Sequence, residues 1–332
     1  MNNYHNNDIT NDNIQDILNN LNEAQLELVL SNNKLTKLDK IPNFIEKINL
    51  NNNNIENIDF IDDRYWDSIL LSNNNIKITL IKNIKCKNLD LSENQIEELI
   101  IEDCEIKNLD ISNNIINKIT FINSKISDLD VSINKLKEFI TYPINIECLK
   151  LFNNKIKNME RVPETTIVLD ISDNKLEELP LLSTNLKKLD ACKNNIKKIN
   201  VEDIPTNIIL LDLTENPLLD TSKIVLLDIE NLYLDEIDNI SSDNNSSDID
   251  IPTNIKHRFT IENNTNSADN TDSSDDDINL DSFIKGNTDN LTDNSNDNID
   301  RIFANLRKNI IIDDTNKFTT STRVSMNWNI VL

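Results

Sequence analysis

LDLSENQIEEL, residues 89–99, decides the fold, because near copies of it recur along the first two thirds of the chain. Written φ-x-φ-x-x-Asn-x-φ, with φ aliphatic, the pattern starts at Leu28, Ile48, Ile69, Leu89, Leu109, Leu129, Leu149, Leu169, Leu189 and Leu211, at intervals of 20 to 22 residues. Asparagine fills the sixth place in all ten copies: Asn33, Asn53, Asn74, Asn94, Asn114, Asn134, Asn154, Asn174, Asn194 and Asn216. Side chains alternate along a strand, so Leu89 and Leu91 turn inward while Asp90 turns to solvent. One such strand cannot bury its apolar face alone, and neighbouring repeats must stack on a shared core. The repeated asparagine is expected to turn inward at the bend and bond the backbone of its own and the adjacent turn. Roughly nine residues remain for each return arm, fewer than the about 11–12 of an average helix. Pro42–Ile45, Pro143–Ile146, Pro163–Thr166 and Pro205–Ile208 repeat a P-x-x-φ form or a close variant there. ITFINSKISDLD, residues 119–130, instead alternates as a short outer strand would.

This pattern resembles the leucine-rich repeat family, L-x-x-L-x-L-x-x-N-x-L, over roughly residues 26–237. The resemblance implies a right-handed, shallow horseshoe solenoid. Its concave side would be a parallel β-sheet, its outer arms extended or 3₁₀, with little helix. The P-x-x-φ arms look like the short bacterial-type subtype. LYL at 232–234 reads as an eleventh, degenerate strand without its asparagine. Gly286 is the single glycine, and asparagine, isoleucine and lysine abound. With that AT-rich bias the wording also resembles leucine-rich-repeat proteins of giant DNA viruses or amoeboid hosts.

Residues 1–25 read as a polar start followed by a capping helix. Within it DNIQDILNNLN, residues 12–22, places Ile14, Ile17, Leu18 and Leu21 on one face behind Asp12 or Asn13 as the cap. Residues 26–237 carry the repeats, and 218–237 are expected to cover their far end. From 238 to 300 the composition turns acidic and rich in Ser and Asn; residues 241–300 hold 14 acidic against 3 basic residues, the signature of a disordered linker. Residues 301–332 regain apolar character with 5 basic and 2 acidic residues, and read as a short helix and strand that could serve as a docking peptide.

The chain of 332 residues has a net charge of -24, which argues against nucleic acid as a partner. No apolar run approaches the roughly 20 residues of a membrane span. The opening MNNYHNNDIT lacks a leader's basic-then-apolar layout, and the expectation is a cytosolic monomer. Cys86, Cys104, Cys148 and Cys192 form no CxxC pair and the histidines are His5 and His257, so no metal, cofactor or catalytic constellation is expected. One glycine rules out glycine-rich phosphate loops. An enzyme is not the expectation.

What remains is surface. The middle column of the repeat strands runs Val29, Asn49, Leu70, Asp90, Asp110, Asp130, Lys150, Asp170, Asp190, Asp212. Neighbouring strands lie about 4.8 Å apart, so Asp90, Asp110, Asp130, Asp170, Asp190 and Asp212 form a like-charged ladder attractive to a basic partner. The wording breaks at LKLFNN, residues 149–154, where Lys150 interrupts the ladder and Phe152 stands where most copies have serine. With nearby Ile133 these two residues are the candidate centre of a protein-binding patch. The expected function is a protein–protein interaction scaffold working through the concave face. The resemblance also admits an adaptor in ubiquitin ligation or a virion-associated structural protein.

Overall fold

The computed structural model describes residues 2–235 and 255–257. The remainder of 238–300 and all of 301–332, including the docking-peptide segment, lie outside the described residues.

Each repeat contributes one short strand to a long parallel sheet. In chain order the strands are β1 (Asn2–Asn3), β2 (Glu27–Val29), β3 (Lys47–Asn49), β4 (Tyr65–Leu70), β5 (Leu80–Lys82), β6 (Lys85–Asp90), β7 (Glu98–Glu102) and β8 (Glu105–Asp110). There follow β9 (Lys118–Ile122), β10 (Lys125–Asp130), β11 (Cys148–Lys150), β12 (Val168–Asp170), β13 (Lys188–Asp190), β14 (Leu210–Asp212), β15 (Asn231–Leu234) and β16 (Ile255–His257). Thirteen of them make the long sheet, and β5, β7 and β9 make a separate three-stranded sheet on the return arms. Helix is confined, among the described residues, to α1 (Ile14–Asn19) and one 3₁₀ turn at Val201–Asp203.

The core is one continuous stack. Leu89 and Leu91, with their equivalents in every repeat, are buried, and the cluster runs from Ile9 to Leu234. Trp66 falls in the column of Ile45, Cys86, Ile106, Ile126, Ile146 and Leu186, all buried, and the Arg64 guanidinium lies 4.0 Å over its ring. On the proline arms the turn closes locally: the N–H groups of Ile45, Thr166 and Ile208 donate to the carbonyls of Pro42, Pro163 and Pro205 at 3.0–3.1 Å. These turns return the chain in few residues, which is why no helix backs the sheet there.

The asparagine column stitches consecutive repeats. Asn134 Nδ2 donates to the carbonyls of Ile111 (3.1 Å), Val131 (3.0 Å) and Ser132 (3.1 Å), while its Oδ1 accepts from Ile116 N–H at 2.8 Å. Its carbonyl partners thus lie in its own bend and in the preceding repeat. Asn94 and Asn174 repeat the arrangement. The residue just before each asparagine is left-handed, with φ between 51° and 58° from Asn32 to Glu215. Asparagine and aspartate tolerate this region better than most residues, and they replace the glycine this chain lacks.

Three features depart from the sequence reading. The amino terminus is itself a partial repeat: β1 pairs with β2 through Asn2↔Leu28, and Asn33 Oδ1 accepts from the N–H groups of Asn7 and Ile9. Asn13 occupies the helix N-cap, but its side chain accepts from Thr10 N–H at 2.9 Å and makes no bond to the helix. Within the stretch read as linker, Ile255–His257 is a strand paired with β15.

Candidate functional site

The long sheet holds strict register, so one residue from each strand lies in one row: Val29, Asn49, Leu70, Asp90, Asp110, Asp130, Lys150, Asp170, Asp190 and Asp212. The reading of these aspartates as plainly solvent-directed needs correction. Asp170, Asp190 and Asp212 are buried, and Asp90, Asp110 and Asp130 are partly so. Each Oδ1 folds back to accept the backbone N–H two residues on, at Ser92, Ser112, Ser132, Ser172, Cys192 and Thr214, over 2.9–3.2 Å. The same Oδ1 of Asp90, Asp170 and Asp212 also takes a hydroxyl, from Ser92, Ser172 and Thr214. The ladder therefore serves the bend as well as the surface.

Charge repulsion is felt at its centre. Burial, and then the carboxylates of Asp130 and Asp90, push the Asp110 carboxyl up to about 7. Because the folded-state value lies above the unfolded one, the folded chain holds an extra proton between roughly pH 4 and 7. Stability from this group is therefore greatest at the acidic end of that window and falls as pH rises through 7. Asp110→Asn keeps the acceptor for Ser112 N–H and removes the charge. It should stabilise the fold at pH 8 by on the order of 1 kcal/mol, after allowing for screening, with the difference vanishing near pH 4. Urea unfolding at the two pH values measures it; a variant less stable at pH 8 would contradict the repulsion.

The three residues of the wording break are brought together. Lys150 sits in register between Asp130 and Asp170, its Nζ 3.5 Å from Asp130 Oδ2. Burial works against its charge, but Asp130, Cys148, Asp110 and Asp170 outweigh it and raise its pKa. Ile133 N–H donates to Phe152 O at 2.8 Å, and both side chains are half-buried. Ile133 also occupies the left-handed bend position, at φ 55°, where every other copy carries Asn, Asp, Glu or Lys. A β-branched residue there is strained by roughly 1–2 kcal/mol. Nothing in the alternation of the sequence marks that position as left-handed; only the column of asparagines at equivalent places hints at it. Ile133→Asn is expected to raise stability by about 1 kcal/mol. A lower unfolding midpoint for that variant would show that the isoleucine is a packing residue.

The register also gathers groups the sequence spacing left apart. Asp190, Cys192 and Asp212 are buried with donor atoms within 4.8 Å of one another, although Asp190 and Asp212 already serve their bends. Burial first of all pushes the Cys86 and Cys148 thiols up to about 12, which suppresses their thiolates at neutral pH.

Stacked parallel strands, an inward asparagine at the bend of ten successive repeats and, among the described residues, a near-absence of helix together identify the architecture. The chain folds as a leucine-rich-repeat solenoid. Solved structures similar to it include YopM from Yersinia enterocolitica WA-314, 23% identical over 69% of this chain and 56% of that chain, TM-score 0.43. A leucine-rich effector, YopM from Yersinia pestis, is 19% identical over 64% and 83% of the two chains, TM-score 0.29. InlJ from Listeria monocytogenes is 17% identical over 70% and 63%, TM-score 0.39. The chain thus spans little more than half the length of the first of these. No family model matches the sequence, and no curated protein matches it.

Proposed function

We propose that this chain is a non-enzymatic interaction scaffold that binds a protein partner across the outward face of the long sheet. Ile133, Lys150 and Phe152 form the centre of the contact, with Asp90, Asp110 and Asp130 on one side and Asp170, Asp190 and Asp212 on the other. The observation that carries this reading is Ile133. A strained, half-exposed isoleucine stands at a bend where asparagine costs less, beside the one repeat that exchanges aspartate for lysine and serine for phenylalanine. Strain of this kind persists where something other than stability retains the residue. The partner this face suits carries an apolar side chain flanked by basic groups.

A cross-linking pull-down from a native lysate tests it, comparing the unaltered chain with Phe152→Ala, Lys150→Glu and Ile133→Asn. A partner should be captured by the first, lost by Phe152→Ala and Ile133→Asn, and held with a steeper salt dependence by Lys150→Glu. Because Ile133→Asn is expected to be at least as stable as the parent, its loss of capture cannot be blamed on unfolding. Equal capture by all four chains would defeat the reading. A ubiquitin-ligase component or virion protein among the captured species would assign the chain to one of those narrower roles.

A further inference from the structure

Two residues before each ladder position runs a second outward row, in which Ser68, Asn88, Asn108, Asp128 and Cys148 are in register across β4, β6, β8, β10 and β11. Asn88 Nδ2 donates to the Asp67 carbonyl at 3.3 Å, and Asn108 Nδ2 donates to Asn88 Oδ1 at 2.6 Å. The amides therefore share one direction, each with its nitrogen turned toward β4. A planar amide turned that way carries its oxygen on the other side. Asn108 Oδ1 is buried there and has no hydrogen-bond partner. The next residue in the row is Asp128, half-buried and itself only an acceptor unless it holds a proton. Buried polar groups are rarely left in such an arrangement.

We propose that a proton held between Asp128 and Asn108 Oδ1 closes this row and acts as a pH switch on the ladder face. Protonated Asp128 donates its O–H to Asn108, and the amides keep the direction seen. Ionised Asp128 only accepts, so Asn108 must turn Nδ2 toward it. Asn88 Nδ2 then serves Asn108 Oδ1, and Asn88 Oδ1 is left against the Asp67 carbonyl. The charged groups around Asp128 are Lys107 and Asp110 on β8, Asp130 on its own strand, Glu147 just before β11 and Lys150 within it. Cys148, directly opposite, is held as the neutral thiol. Burial first, then Glu147, raise the Asp128 carboxyl above its ordinary value, against Lys107 and Lys150. Loss of the proton reverses the amides and adds a carboxylate near Lys150. A basic partner is then held more tightly as pH rises, a consequence that rests on the binding role proposed for this face.

Carboxyl-carbon NMR of the full chain, isotope-labelled at aspartate and asparagine, titrates Asp128, whose resonance is assigned by its loss in Asp128→Asn. Its midpoint is expected above the ordinary carboxylate range. The side-chain amide resonances of Asn88 and Asn108 should shift together at that same midpoint, because the row reverses as a unit. Asn108→Val, which copies Val168 of the same row, removes the acceptor while making the surroundings more apolar. Loss of the hydrogen bond should move the Asp128 midpoint down, whereas burial acting alone would move it up. An Asp128 midpoint within the ordinary range overturns the proposal, as do amides that pass through the midpoint unmoved. A midpoint that stays or rises in Asn108→Val also overturns it. The first two readouts use the unaltered chain and stand whether or not that variant folds. None involves a partner, so their failure leaves the pull-down on Phe152 untouched.

Discussion

Replacing Asn134 by alanine is expected to lower the unfolding free energy by about 3 kcal/mol, the largest single-residue effect on stability outside the apolar core. The side chain is buried and fully engaged, with three carbonyls as acceptors and Ile116 N–H as donor. Truncation strands the Ile116 N–H where water cannot replace the amide, and leaves the carbonyls of Ile111 and Val131 with one amide donor each, from Asn114 and Asn154. A buried unpaired group costs about 1–3 kcal/mol, and the three lost donated bonds put the effect at the upper end of that range. At about 2–4 °C per kcal/mol for a region of this size, the thermal midpoint should drop by roughly 6–12 °C. Asn134→Asp is the sharper variant: it keeps the shape and the acceptor but removes every donor, setting a carboxylate against carbonyl oxygens. A loss of less than about 1 kcal/mol in either variant would mean that the bend is held by the inter-repeat backbone bonds alone.

Phe152→Ala is expected to have the largest effect on partner binding, at least 2 kcal/mol or about thirtyfold, because a central aromatic is the usual anchor of such a contact. Lys150→Glu should act with a different signature. It would join two three-carboxylate blocks into one unbroken acidic row, raising repulsion within the fold while drawing basic groups more strongly. Phe152→Ala should therefore weaken binding at every ionic strength, whereas Lys150→Glu should steepen the salt dependence. Titration of the captured partner by calorimetry at two ionic strengths separates the two. Parallel salt curves for both variants would mean that the ladder plays no part in recognition.

The repeat was legible because it is a periodicity, and stacking turns a periodicity directly into a core. Asn94 could be placed at the bend from its position six alone, whereas ITFINSKISDLD, which reads as a short outer strand, divides into outer β9 and inner β10. Two kinds of information were harder to read. The first is the partial repeat at the amino terminus, where Asn7 and Ile9 keep their places but Asn2 stands where the pattern demands an aliphatic residue. The second is where a side chain goes after leaving the backbone. Alternation tells that Asp190 starts outward; it does not tell that the carboxylate bends back to Cys192 N–H. For the same reason the strain at Ile133 carries no mark in the residue itself, since an isoleucine in a bend reads as ordinary repeat drift.

The constancy of the register makes the ladder a ruler. Lys150 divides it into two triplets centred on Asp110 and Asp190, four strand intervals apart. At about 4.8 Å per interval the triplet centres are separated by roughly 19 Å. On a helix, at 1.5 Å per residue, that distance corresponds to about thirteen residues. On an extended strand, at about 3.3 Å per residue, it corresponds to about six. A complementary protein would therefore carry two basic clusters at one of these intervals with an apolar residue midway. That spacing can be searched for in sequences before any of the proteins is purified.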